Sequence, residues 1–131
     1  MNGPSETRSG GVSARTDDFS AAATFLDGRI AAQVAGTADL NAKKALDDYL
    51  TELHEMAMSN RVTEVVMDVR DLTFMNSSCL KGFVTWICRV QGAPPQSRYR
   101  ITLQSSPLIH WQRRSLLALS CLAADVVTVR S

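Results

Sequence analysis

The sequence lacks several features that would place this 131-residue chain in a familiar functional class. It has no apolar run of 18 residues, so we predict no membrane-spanning segment. Its formal net charge is only +1, which gives no electrostatic case for binding nucleic acid. Residues 1–18 are polar and lack the apolar centre of a secretory signal. We therefore expect a cytoplasmic protein that acts neither on a membrane nor on nucleic acid.

Cysteine is scarce, and its spacing excludes two kinds of site. The three cysteines, Cys79, Cys88 and Cys121, form no CxxC pair and are odd in number. They are typical of reduced thiols in the cytoplasm and not of a disulfide framework. We expect Cys88 and Cys121 in the core. Cys79, at the start of a predicted helix, is expected to be a small packing residue, with a redox-active thiol as the alternative.

Catalytic motifs are missing as well. No GxSxG nucleophile elbow, glycine-rich phosphate loop or HxxxH pair occurs. We therefore predict that the chain is not an enzyme and has no catalytic residues, metal or cofactor.

What the sequence does contain is a strand–helix alternation after a polar start. Residues 1–17 have almost nothing to bury and are predicted to be a disordered tail, with one domain over residues 18–131. Asp27-Gly28 between two apolar runs predicts a β-hairpin. Three helical patterns follow, over 40–59, from Asn76 to about residue 91, and over 107–122. Between them lie strands at 62–69 and 99–103, and a last strand at 126–129, so the predicted order is ββαβαβαβ, an α/β fold.

Two local patterns give sharper expectations. Val65-Val66-Met67 is a continuous apolar run, which predicts a strand covered on both faces. Ser78 lies at the start of the second helix, and serine is among the residues most often found at helix N-caps. A structural role as the N-cap is therefore the alternative to a functional role for Ser78.

Residues 65–80 resemble the central motif of STAS domains, the family of anti-sigma factor antagonists. The family pattern is a buried strand ending in Asp, a loop with an aromatic residue, and Asp-Ser-Ser-Gly-Leu opening a helix. Here the stretch reads VVMDVRDLTFMNSSCL, and the upstream Gly36-Thr37-Ala38-Asp39 resembles the family's Gly-x-x-Asp. Asn76 stands where the family has Asp, and Cys79 where it has Gly. The resemblance implies a small mixed sheet with helices packed mainly on one face.

The resemblance also implies a function and a site. In this bacterial family a serine kinase of the GHKL type, often itself the anti-sigma factor, binds the domain and phosphorylates it, and a phosphatase resets it. By position the acceptor is Ser78, with Ser77 as the fallback. The partner-binding residues implied are Asp39, Met75, Asn76, Ser77, Ser78, Cys79, Leu80 and Lys81. A homodimer is left open.

Two other readings of the same fold remain. The departures at Asn76 and Cys79 favour an unphosphorylated scaffold within a larger regulatory assembly. Some STAS relatives sense nucleotides, haem or flavin, although no ligand motif for these occurs in this sequence.

Overall fold

A computed structural model describes residues 11–131, which form one mixed sheet, three α-helices and a short 3-10 turn. No helix in this range is long and apolar enough to cross a membrane. The strands are β1 (Gly11–Arg15), β2 (Phe19–Leu26), β3 (Arg29–Ala38), β4 (Glu64–Asp68), β5 (Leu72–Met75), β6 (Arg100–Gln104) and β7 (Val127–Arg130). The helices are α1 (Lys43–Ser59), α2 (Ser77–Gln91) and α3 (His110–Leu122), and the 3-10 turn spans Pro95–Ser97.

The predicted hairpin joins β2 and β3. Asp27 and Gly28 both have positive φ, 53° and 78°, which is the backbone that a two-residue hairpin turn requires. Leu26 then pairs with Arg29, and the two strands run antiparallel as far as the pair Phe19–Gly36. The hairpin prediction is confirmed.

The rest of the sheet is parallel and is connected through the helices. The strand order is β1-β2-β3-β4-β6-β7, and β5 pairs with the end of β3. Strands β3, β4, β6 and β7 are parallel neighbours, so α1, α2 and α3 serve as crossovers. The helix starts that follow β3, β5 and β6 consequently lie at one edge of the sheet, the carboxyl edge of these strands.

The helices cover only one face of the sheet. Val65 and Met67 of β4 point into the core and are fully buried, as are Leu46 and Leu53 of α1. Val66, between the two buried β4 residues, is half-buried on the opposite face. The expectation that β4 is covered on both faces is therefore wrong. Alternate strand residues point to opposite faces, and none of the helices in residues 11–131 packs on the second one.

The described part of the chain begins with a strand where the sequence predicted a tail. Gly11–Arg15 pairs antiparallel with β2, so the predicted boundary at residue 17 is wrong for this segment. Val12 and Ala14 pack against the core, and the backbone of β1 pairs with the N–H and C=O groups at the outer edge of β2. These are only two small apolar side chains, which is why composition did not reveal the strand. The remainder of the predicted tail, residues 1–10, lies outside the described residues.

Other packing expectations divide in the same way. The apolar face of α1 is buried as predicted, but Cys88 and Cys121 are exposed and do not belong to the core. Trp86 is almost completely buried, with 1% of its surface exposed. It lies on the inner face of α2, with Phe83 and Val90 at helical spacing.

Trp86 belongs to a buried hydrogen-bonded chain. Its indole Nε1 donates to the Tyr99 hydroxyl oxygen over 2.8 Å, and that hydroxyl lies 2.7 Å from His54 Nδ1. Burial raises the pKa of Tyr99, so the phenol stays protonated. Since an indole N–H can only donate, the Tyr99 hydroxyl accepts from Trp86, and the direction of its second contact, with Nδ1, follows the tautomer of His54. Burial first, and the Arg89 charge second, lower the pKa of His54, while Glu55 opposes the shift.

We expect this chain to make stability depend on pH through His54. A histidine whose folded pKa lies below its unfolded value of about 6.5 contributes stability above pH 6.5. That contribution is lost as the pH falls through the folded pKa. Urea unfolding of the wild type and of His54→Gln between pH 5 and pH 8 tests this, since the other titrating groups cancel in the difference. Below pH 6.5 the free energy of unfolding of the wild type should fall relative to that of His54→Gln. If the two free energies change in parallel with pH, the assignment to His54 is contradicted.

The one-sided sheet yields a second prediction at adjacent residues. Val65→Asp places an unpaired carboxylate in the core and should cost more than about 4 kcal/mol, removing most or all of the folding free energy. Val66→Asp, one residue on, faces outwards and should cost only about 1–2 kcal/mol. Circular dichroism and urea titration of both variants measure the contrast. Equal destabilisation would mean that the second face is also covered.

Candidate functional site

The stretch that resembles the family motif begins α2 at the carboxyl edge of the sheet. Strand β5 pairs in parallel with the end of β3, where Thr37 is opposite Phe74 and Ala38 is opposite Met75. The next backbone N–H, that of Asn76, donates to the Ala38 carbonyl over 2.9 Å. The start of α2 is thus fixed to the sheet by main-chain hydrogen bonds.

Asn76, and not Ser78, caps α2. Asn76 has the extended backbone of an N-cap residue, φ −81° and ψ 171°, and its Oδ1 accepts from the Cys79 N–H over 2.8 Å. Ser77 and Ser78 are already in the first helical turn and are exposed. Within residues 11–131 neither serine hydroxyl makes a hydrogen bond. The capping role that the sequence offered as the alternative for Ser78 is therefore wrong.

Cys79 is a packing residue. Its side chain is fully buried, and its Sγ lies 3.5 Å from the Asp39 carbonyl oxygen. Burial, the largest effect, and the nearby carboxylates of Asp47 and Asp39 raise the pKa of the thiol, against the opposing charge of Lys43. A raised pKa disfavours the thiolate that redox chemistry needs, so the packing interpretation is the one that the structure supports.

Asp39 organises the loop from β3 into α1. Its Oδ1 accepts from the N–H groups of Asn41, over 3.0 Å, and Ala42, over 3.3 Å. These bonds form a turn, and α1 begins only at Lys43, three residues after the predicted start. The Asp39 carboxylate therefore stabilises the turn just before α1, and the N-cap of the helix is Ala42. Through its carbonyl contact with Cys79 the loop lies directly beside the start of α2.

Large apolar side chains are exposed at the same edge of the sheet as the two serines. Leu40, next to Asp39, is 78% exposed, and Phe74 of β5 is 48% exposed. Met75 and Leu80 are half-buried. The structure therefore brings the predicted residues together at one edge and adds Leu40 and Phe74, which the sequence did not assign to the site. Phe74 stands at the aromatic position of the motif, and that was the signal available for it.

The site also depends on a side chain that the sequence analysis missed. Gln112 is completely buried. Its Nε2 donates to the carbonyls of Val69, over 2.6 Å, and Leu72, over 2.9 Å, while its Oε1 accepts from the Ser106 N–H over 2.8 Å. It thus connects α3 to the bend between β4 and β5. The available signal was a polar residue on the same helical face as Leu116 and Leu119.

Trp111 adds to the same connection, and α3 begins later than predicted. The indole Nε1 donates to the carbonyls of Leu72 and Thr73 over 3.2 and 3.1 Å. The helix starts at His110 and its N-cap is Ile109, so Ser106 lies before the cap. The Ser106 hydroxyl instead accepts from the Leu108 N–H over 3.2 Å, in a turn that precedes the helix.

Among solved structures, an anti-sigma factor antagonist from Mycobacterium paratuberculosis is similar to this chain. The TM-score is 0.60, and the match covers 83% of this chain and 86% of that one at 15% sequence identity. The chain has a STAS-type fold. The predicted fold class is confirmed, with β1 and β5 as strands beyond the predicted order. No protein-family model and no curated protein sequence matches the chain.

The cap of this STAS-type domain gives a testable contrast. Asn76→Ala removes the acceptor for the Cys79 N–H and should lower the free energy of unfolding by about 0.5–2 kcal/mol. Asn76→Asp should retain it, because Asp caps equally well and its charge suits the helix dipole. Ser78→Ala should change it by less than about 0.5 kcal/mol, since no cap is lost. Thermal or urea unfolding compares the three variants, and a larger loss for Ser78→Ala than for Asn76→Ala would reverse the assignment.

Proposed function

We propose that this chain is a bacterial, cytoplasmic signalling protein without enzymatic activity that switches partners in the manner of an anti-sigma factor antagonist. The observation that carries the proposal is the pair of exposed serines, Ser77 and Ser78, in the first turn of α2. They lie at the same edge of the sheet as Leu40 and Phe74, whose side chains are exposed. Modifiable hydroxyls next to an apolar surface are what a phosphorylation-controlled interface requires.

The position of Ser78 suits a phosphate. The first turn of a helix presents free N–H groups and the positive end of the helix dipole, so added negative charge is tolerated there. Since the cap comes from Asn76, modification of Ser78 sacrifices no hydrogen bond of the fold. A phosphate brings a charge of roughly −1.5 to −2 at pH 7, which would weaken contact between a partner and the apolar residues. Lys81, three residues on, offsets part of that charge.

The proposed partner is a serine kinase of the GHKL type that also acts as the anti-sigma factor, and a phosphatase would restore the binding form. The unmodified domain binds the kinase-like partner, and the phosphorylated domain releases it. Ser78 is the proposed acceptor and Ser77 the fallback. The proposed contact surface comprises Asp39, Met75, Asn76, Ser77, Ser78, Leu80 and Lys81, together with Leu40 and Phe74. Cys79, which the resemblance also implied as a partner-binding residue, is fully buried and is not part of this surface.

The two serines provide matched variants for a test. The chain is incubated with ATP and a GHKL-type kinase encoded beside its gene, and phosphate is located by mass spectrometry. We expect modification of the wild type and of Ser77→Ala and none of Ser78→Ala. Modification confined to Ser77 would move the acceptor to the fallback residue, and no modification would favour the scaffold alternative.

The affinity for the kinase should also depend on the charge at residue 78. By calorimetric titration against that kinase, Ser78→Ala should bind like the wild type, and Ser78→Asp should bind more weakly by about 1–3 kcal/mol because charge enters an apolar contact. Leu40→Ser should also weaken binding while leaving the fold intact, since Leu40 is exposed. Equal affinities of the wild type, Ser78→Ala and Ser78→Asp would exclude the switch.

A further inference from the structure

A groove between α1 and α2 is lined by an excess of positive charge. It encloses a cavity of about 180 Å³, several times the roughly 30 Å³ that one water occupies in the liquid. Its two sides carry Lys43, Asp47 and Thr51 from α1, and Lys81, Thr85 and Arg89 from α2.

The two sides are rows of side chains at the same helical spacing. Residues four and eight apart lie on one face of a helix, so Lys81, Thr85 and Arg89 form a row about 12 Å long. Lys43, Asp47 and Thr51 form the opposite row. The helices approach closely at Gly82, where a Cβ would stand 2.7 Å from Asp47 Oδ1. Groups of both rows thus face a common space.

Two of the three cations in the groove are uncompensated. Lys43 Nζ lies 2.6 Å from Asp47 Oδ2, so these two charges cancel. Among residues 11–131 no carboxylate oxygen lies within 4.0 Å of the charged groups of Lys81 or Arg89. Helix α2 has no acidic residue in its sequence. The groove consequently carries an excess of two positive charges.

Arg89 is held across the groove. Its Nη1 donates to Thr51 Oγ1 over 3.2 Å, which joins the two rows at the end remote from Lys81. A guanidinium has five N–H donors, and this contact uses one of them. The remaining donors, the Lys81 ammonium group and the Thr85 hydroxyl are the chemistry that recognises phosphoryl oxygens.

We propose that this groove binds a phosphoryl dianion, presented by a small phosphorylated ligand. Two positive charges match the charge of a phosphate dianion, and Thr85 supplies a neutral donor between them. The groove shares Lys81 with the contact surface proposed above, but its other residues differ, and its test uses the unphosphorylated protein without the kinase. Failure of either proposal therefore leaves the other standing.

The test is a titration of the full chain with inorganic phosphate at pH 8, followed by calorimetry and by amide chemical shifts in ¹⁵N-labelled protein. We expect saturable binding, with shifts in residues 81–89 and 43–51. The double variant Lys81→Gln/Arg89→Gln should bind about tenfold more weakly or worse, the loss expected for charged hydrogen bonds. The control Lys44→Gln/Arg113→Gln removes the same charge from exposed residues outside the groove and should change affinity by less than about twofold.

Several results would overturn the proposal. These are an absence of saturable shifts up to roughly 50 mM phosphate, well above the millimolar range of weak specific sites, an equal loss in the control, and shifts confined to residues 77–79. Arg89→Lys keeps the charge but loses the planar fork, so it should bind between the wild type and the double variant. Acetate, with a single charge, should bind more weakly than phosphate, and equal binding would argue against a site for a dianion.

Discussion

The bend between β4 and β5 is the feature on which the site depends. Strand β3 pairs first with β4 and then with β5, and the pairing shifts at Gly36. Only glycine fits there, since its φ is +93° and a Cβ would stand 2.1 Å from the Asp18 carbonyl oxygen. On the other side of the bend, Gln112 occupies the carbonyls of Val69 and Leu72. Because buried carbonyls must be paired, α3 and β3 together set where α2 begins.

The one-sided sheet explains why the proposed interface lies at an edge. The helices bury one face, and the other carries small or polar side chains such as Ala22, Ala31 and Gln33, which offer a partner little apolar area. The carboxyl edge is different, because Leu40 in the loop before α1 and Phe74 of β5 are exposed there. Helix starts at the same edge add N–H groups that favour negative charge. Apolar contact and phosphate tolerance therefore coincide at one place.

Helix α2 contributes side chains to the core and to two surfaces. Its inner face buries Phe83 and Trp86, and Trp86 connects through Tyr99 to His54 of α1. Its first turn carries the proposed phosphoacceptor, and its outer row, with Lys81 and Arg89, faces α1 across the groove. Helix α2 itself carries two basic side chains, Lys81 and Arg89, and no acidic one. A phosphoryl group is therefore not repelled by any carboxylate of this helix.

The sequence by itself determined the α/β class and the hairpin at Asp27-Gly28, because these depend on local periodicity and turn chemistry. The motif that begins α2 was found through its resemblance to the STAS family. Tertiary structure decided the remainder. Asn76, and neither serine, caps α2, because the backbone of Asn76 is extended. Pairing with β3 fixes that backbone conformation. That β1 is a strand, and that Gln112 is buried, depended on partners distant in the chain. A short polar segment carries no local signal for a strand, and a glutamine on an apolar helix face does not reveal its partners, since these hydrogen bonds are made only after the sheet and helices have assembled.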